Sequence, residues 1–162
     1  MINRIIHFNV VCTDLKRSLE FYCDKLGGKA DRERKEALKK ASAERGIDTT
    51  PPGIALGLGQ APEWRACMIR FGDDEGATVI DLLQWLKPAS YGEPYDRLNH
   101  VGIARMALAV DDVDKTYNDL KAKGVKFISS PQVIDLKRGG GSTKIVVCKD
   151  PDGIAVEFAE RA

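Results

Sequence analysis

Little in this sequence invites a charged partner or a membrane. Lysine plus arginine number 25 against 24 aspartate plus glutamate, a formal net charge of +1, so composition makes no case for nucleic acid or an anionic membrane surface as partner. No apolar run approaches the roughly 20 residues that span a bilayer. Met1-Ile2-Asn3-Arg4 leads straight into a strand-like segment without a signal-peptide pattern, and the expected location is the cytoplasm. The four cysteines, Cys12, Cys23, Cys67 and Cys148, form no Cys-x-x-Cys pair, which argues against a disulfide frame or a zinc site and for reduced core thiols. Histidine is scarcer still, with only His7 and His100, and neither has a positioned nucleophile from which a Ser-His-Asp or Cys-His arrangement could be argued. What is present is 162 residues, 43% hydrophobic and 30% charged, enough for one ordinary globular domain or two tightly packed half-domains.

The residues from Arg4 to Cys12 are dense in Ile, Val and Phe, which predicts a strand buried on both faces. Thr13 or Asp14 can cap a following helix whose apolar stripe is Leu15, Leu19, Tyr22 and Leu26, stopped by Gly27-Gly28. The same grammar returns at Arg105 to Val110, with Asp111 or Asp112 as cap, Val113, Tyr117 and Leu120 as stripe, and Gly124 as stop. An offset of 98 residues superposes His7 on Arg105 and Asp14 on Asp112, so the chain reads as an internal duplication. Strand-like runs follow each helix: Trp64 to Phe71 and Thr78 to Trp85 in the first half, then Lys126 to Ser129, Val133 to Leu136, Thr143 to Cys148 and Ile154 to Phe158 in the second. Asp81 superposes on Glu157 with an offset of only 76, which leaves an insertion of 22 residues in the first half. Its charged part, Asp31 to Arg45, holds six basic and four acidic residues and reads as an exposed helix with a solvated face.

Alternation along strands assigns faces. Asp81 falls with Val79, Leu83 and Trp85, and Glu157 with Ala155 and Ala159. Arg105 falls with Ile103, Ala107 and Ala109, and His7 with Ile5, Asn9 and Val11. Four polar side chains thus project from four strand interiors at matching places in two repeats, where burial without a partner is costly. They could converge on one cavity if the repeats pack about a pseudo-twofold axis. A purely structural alternative is an ion network in which Arg105 pairs with Asp81 and Glu157.

These pieces resemble the vicinal oxygen chelate superfamily of glyoxalases, bleomycin-resistance proteins and extradiol dioxygenases. The matching segments are Ile6 to Val10 leading into Thr13 to Tyr22, Val79 to Gln84, Met106 to Asp112, and Lys149 to Phe158 with its Asp-Pro-Asp-Gly turn. The resemblance implies an α+β fold of two βαβββ modules forming a curved, cleft-enclosing mixed sheet. The first module would be residues 1–86 with the insertion near 30–59, followed by a connector at 87–99 and the second module at 100–162. It implies a small-molecule substrate or ligand and leaves a homodimer open.

In metal-binding relatives four strands supply His, Glu, His and Glu. Carried over, His7, Asp81 and Glu157 are the metal ligands, with Mn, Mg, Fe or Zn as the implied cofactor, and Glu157 and Asp81 are the catalytic carboxylates. Arg105 stands where the second His is expected, and a guanidinium has no lone pair to give. His100 lies five residues upstream, on the opposite parity, and does not replace it. Two functions follow. One is metal-assisted lyase, isomerase or dioxygenase chemistry. The other is metal-free binding of a small molecule, with Arg105 as fixed positive charge and His7 and Trp85 as further ligand contacts. Arg138-Gly139-Gly140-Gly141-Ser142 lacks the ending of a phosphate loop and reads as a flexible connection between strands.

Overall fold

The computed structural model describes residues 2–30, 55–57, 62–136 and 141–160. The charged segment Asp31 to Arg45 and the Arg138-Gly139-Gly140 part of the glycine loop lie outside the described residues. The chain divides into two compact units, Met1–Gly92 and Glu93–Ala162.

In the first unit β1 (His7–Val11) leads into α1 (Leu15–Leu19), which continues as a π-helical turn over Glu20–Lys25. Three strands follow: β2 (Lys29–Ala30), β3 (Glu63–Arg70) and β4 (Val79–Lys87). The sheet order is β1-β4-β3-β2, with β1 parallel to β4 and the other pairs antiparallel. The second unit repeats this with β5 (Arg105–Val110), α2 (Val113–Ala122), β6 (Gln132–Asp135), β7 (Ser142–Lys149) and β8 (Ala155–Glu160), in the order β5-β8-β7-β6. This is an α+β fold of two βαβββ modules, each built on a four-stranded mixed sheet.

The duplication inferred from sequence is reproduced residue for residue in the strand registers. His7 pairs with Val79 and Asn9 with Asp81, while Arg105 pairs with Ala155 and Ala107 with Glu157. The helix starts are duplicated too. The Asp14 carboxylate accepts from the Arg17 amide and the Asp112 carboxylate from the Lys115 amide, satisfying amides that the first turn leaves orphaned. A second cap arrives from the sheet: Gln84 Oε1 accepts from Leu15 N, and Glu160 Oε2 accepts from Val113 N.

The helices end differently, by one residue. In the second unit Gly124 N donates to Lys121 O and Val125 N to Leu120 O, the crossed bonds of a Schellman end. In the first, Gly27 N donates to Cys23 O and Gly28 N to Tyr22 O, each spanning one residue more. The π turn over Glu20–Lys25 absorbs that extra residue.

In each unit the helix covers one face of the sheet. Val10, Ile80, Leu82, Cys67 and Ile69 are buried on the first, with Leu15 and Tyr22. On the second the buried set is Val146, Cys148, Val156 and Phe158, with Val113 and Leu120. All four cysteines are buried, and none is in a disulfide. The expectation of a first strand buried on both faces does not hold. Among the described residues β1 stands at the end of its sheet, paired with β4 alone, and Phe8 and Val11 are both exposed. Lys126 to Ser129 forms no strand either; a lone bridge from Phe127 to Cys148 stands in its place.

Candidate functional site

On the first unit, the face away from α1 carries His7, Asn9 and Val11 from β1, Asp81, Leu83 and Trp85 from β4, and Trp64, Ala66 and Met68 from β3. Strand pairing sets Asn9 directly beside Asp81, with His7 two residues back along β1, opposite Val79. Asn9 Nδ2 donates to Asp81 Oδ2 at 2.8 Å. The other oxygen, Asp81 Oδ1, is buried and has no hydrogen-bond partner among the described residues. His7 is exposed. Trp85 meets Trp64 edge to face, with ring centroids 5.4 Å apart, so it walls this face beside the polar group. The partnership of Asn9 with Asp81 was missed in the sequence, although Asn9 shares parity with His7. The parallel β1–β4 register, which parity does not supply, was the missing piece.

On the second unit, the corresponding face carries Arg105, Ala107 and Ala109 from β5 and Ala155, Glu157 and Ala159 from β8. Arg105 Nε donates to Glu157 Oε2 at 2.7 Å, a charge-assisted bond in which the arginine side chain is 46% exposed and the carboxylate 10%. Glu157 is therefore a buried acid compensated by a half-exposed base. Arg105 makes no second hydrogen bond among the described residues, so its two Nη groups keep their donors.

His100 stacks on Tyr95, with centroids 4.1 Å apart and rings 13° from parallel, and its Nδ1 lies 2.9 Å from Val101 O. It precedes β5 in irregular backbone and belongs to neither face.

The chemistry of the donors on these faces decides how well they suit the implied divalent metal. His7 and Asp81 are competent ligands. In the second unit the position matching His7 holds a cation, and that cation already occupies the carboxylate of Glu157. Within neither unit do three His, Cys, Asp or Glu side chains among the described residues group as a metal site requires. The donor set does not fit a four-ligand divalent site.

Residues 4–158 match the glyoxalase/bleomycin resistance protein/dioxygenase superfamily. The chain belongs to this superfamily. Among its relatives in the superfamily, a probable lactoylglutathione lyase of Synechocystis is 26% identical over 157 residues, covering 96% of this chain and 94% of that protein. The lactoylglutathione lyase of Haemophilus influenzae is 24% identical, covering 97% and 92%. A probable chloroplastic lactoylglutathione lyase of Arabidopsis thaliana is 28% identical over 98% of this chain, which spans only 36% of that longer protein. In three dimensions a glyoxalase family protein from Bacillus cereus superposes with a TM-score of 0.73 at 18% identity, over 99% of this chain and 95% of the other. Glyoxalase I from Zea mays superposes with a TM-score of 0.65 at 24% identity, over 98% of this chain and 45% of that one. At such identities the structural likeness speaks for the glyoxalase-like fold alone.

Proposed function

We propose that this superfamily member binds a small molecule bearing an anionic oxygen group, a carboxylate, phosphate or enediolate, and that Arg105 is the residue that meets it. The observation that carries this reading is the 2.7 Å bond from Arg105 Nε to Glu157 Oε2. It fixes the guanidinium from behind and leaves its Nη edge, with parallel N–H donors, for a two-oxygen anion. Ala107 and Ala109 are exposed on the same face and leave space above the sheet for a ligand. The corresponding face of the first unit is a ligand face of its own in this reading, with His7, Asp81 and Trp85 as a ring nitrogen, an acceptor and an apolar wall.

The second reading is metal-assisted lyase, isomerase or dioxygenase chemistry, favoured by the names of the relatives. It assigns His7, Asp81 and Glu157 as ligands for Mn, Mg, Fe or Zn, with Asp81 and Glu157 moving protons. The donor set on the second unit speaks against it, so no step is derived through a metal.

Calorimetric titration with inorganic phosphate and with S-lactoylglutathione, a carboxylate-bearing thioester, tests the first reading. The expected result is saturable binding of at least one probe that weakens at least tenfold in Arg105→Ala and less in Arg105→Lys, which keeps the charge but loses the fork. No binding of either probe, or binding indifferent to Arg105, overturns it. Stoichiometric metal in protein purified without chelator, lost in His7→Ala and accompanied by lactoylglutathione lyase activity, would establish the second reading in its place.

A further inference from the structure

We propose that the face of the first unit turned away from α1 binds an arylalkylammonium, a ligand whose cationic nitrogen meets Asp81 and whose flat apolar body lies toward Trp85. The inference rests on the reading of that face as a ligand face and names what the face takes.

The first observation is a carboxylate without its counter-charge. Asp81 Oδ2 accepts a neutral amide proton, from Asn9 Nδ2 at 2.8 Å. Asp81 Oδ1 is buried and accepts no hydrogen bond among the described residues. A buried acceptor left without a donor is costly, and a charged one more so. In the second unit the matching carboxylate, Glu157, is answered by Arg105 Nε at 2.7 Å. In the first, the cations that share this face are engaged elsewhere or distant. Arg70 Nη1 donates to the Asp74 and Glu75 carbonyls, Lys29 is paired with Asp73, and Lys87 stands at the far end of β4. The positive charge that the second unit carries as a side chain is here left for a ligand to bring, and an N–H cation brings charge and hydrogen bond together.

The second observation is what extends from Asp81 along the sheet. Strand pairing makes Asn9, Asp81 and Met68 a polar end, Val11, Leu83 and Ala66 an apolar middle, and Trp85 with Trp64 an aromatic end. Trp85 lies four residues beyond Asp81 on β4, roughly 13 Å along the strand. The indoles meet at a centroid separation of 5.4 Å, and Leu83 and Trp64 are buried. A small cation by itself would use only the polar end. A cation carried on an aryl and alkyl body uses the whole length, since apolar rings pack on the indoles. Met68, opposite Asp81, is half-buried, and its unbranched side chain can turn aside to admit a donor to Oδ1.

Both tryptophans of the chain stand on this face, so intrinsic tryptophan emission reads it directly. The full chain, with EDTA present, is titrated with phenylbutylamine and in parallel with neutral phenylbutanol and anionic phenylbutyrate. The expected result is a saturable change with the amine at an affinity roughly tenfold or more above that for the alcohol or the acid. Asp81→Asn brings the amine down to the level of the alcohol, and Trp85→Leu weakens amine and alcohol alike. Amine affinity no greater than that of the alcohol or the acid overturns the proposal while leaving a ligand face without charge preference. Amine affinity untouched in an Asp81→Asn protein that keeps the parent's circular dichroism overturns it too. No saturable change with any of the probes removes the ligand-face reading along with it. The comparison of probes on the parent needs no variant, so it decides even where Asp81→Asn fails to fold, and phosphate binding through Arg105 stands or falls separately.

Discussion

At the scale of single residues, the pair Arg105–Glu157 divides stability from binding. Because the arginine is half in water, its bond contributes modestly to folding, and Glu157→Gln is expected to lower stability by only about 1 kcal/mol in urea denaturation. The same change unfixes the guanidinium, so anion affinity falls by more than stability would suggest. Cys148 supplies a different readout. Its burial, followed by the nearby Asp150 charge, pushes the thiol up from 9.0 to about 12. A raised value in the folded chain means that stability from this group is whole below pH 9, and is lost as pH rises toward 12 while the unfolded chain gives up its proton first. Denaturation midpoints are expected to fall between pH 9 and 12, and to fall less steeply in Cys148→Ala. Iodoacetamide at pH 8 should leave Cys148 unmodified in the native state. Of the residues singled out by sequence, Arg105 and Glu157 were legible as face-mates of small side chains, each on its own strand. That one holds the other was visible only as an alternative, since side-chain reach is not encoded in parity.

At the scale of elements, caps and stops behave as local chemistry dictates. Asp112→Ala removes the acceptor for the Lys115 amide and is expected to cost about 1 kcal/mol, with a similar effect at Asp14. Gly28 is a packing glycine: a Cβ there would lie 2.6 Å from Ile69 Cγ2 and 2.8 Å from Tyr22 O. Gly28→Ala is expected to destabilise by about 2 kcal/mol in urea denaturation, because the contact is with backbone and a buried strand residue that cannot yield. Gly27, at φ +80° with open space around it, should cost less on the same substitution. Most elements were readable because caps, stripes and glycine stops are short-range signals. The π turn was not, since one extra residue leaves the apolar spacing of Leu15, Leu19 and Tyr22 intact and shows only in the bonds that close the helix. The edge position of β1 escaped for a related reason: its composition matches that of a central strand, and strand order is a long-range property.

At the scale of the whole molecule, each unit carries its own sheet and its own covering helix. Hydrogen exchange is expected to be slowest at the central strands, at amides such as Leu82 on β4 and Val156 on β8, both fully buried. It should be fast along β6, an edge strand exposed at all four residues. Uniform protection across β6 and β8 would contradict this. Among the described residues no helix is long and apolar enough to cross a membrane, in keeping with the absence of long apolar runs. The sequence by itself determined the duplication, the helix limits, the α+β class and the faces on which the four polar residues stand. It could do so because a strand's period of two and a helix's caps are written in neighbouring residues. Tertiary structure alone decided that β1 lies at an edge, that Asn9 holds Asp81 and that Arg105 closes on Glu157. Those outcomes depend on which strands lie side by side and in what register, and hydrogen bonds between segments 52 or 72 residues apart are set by the folded backbone and not by local spacing.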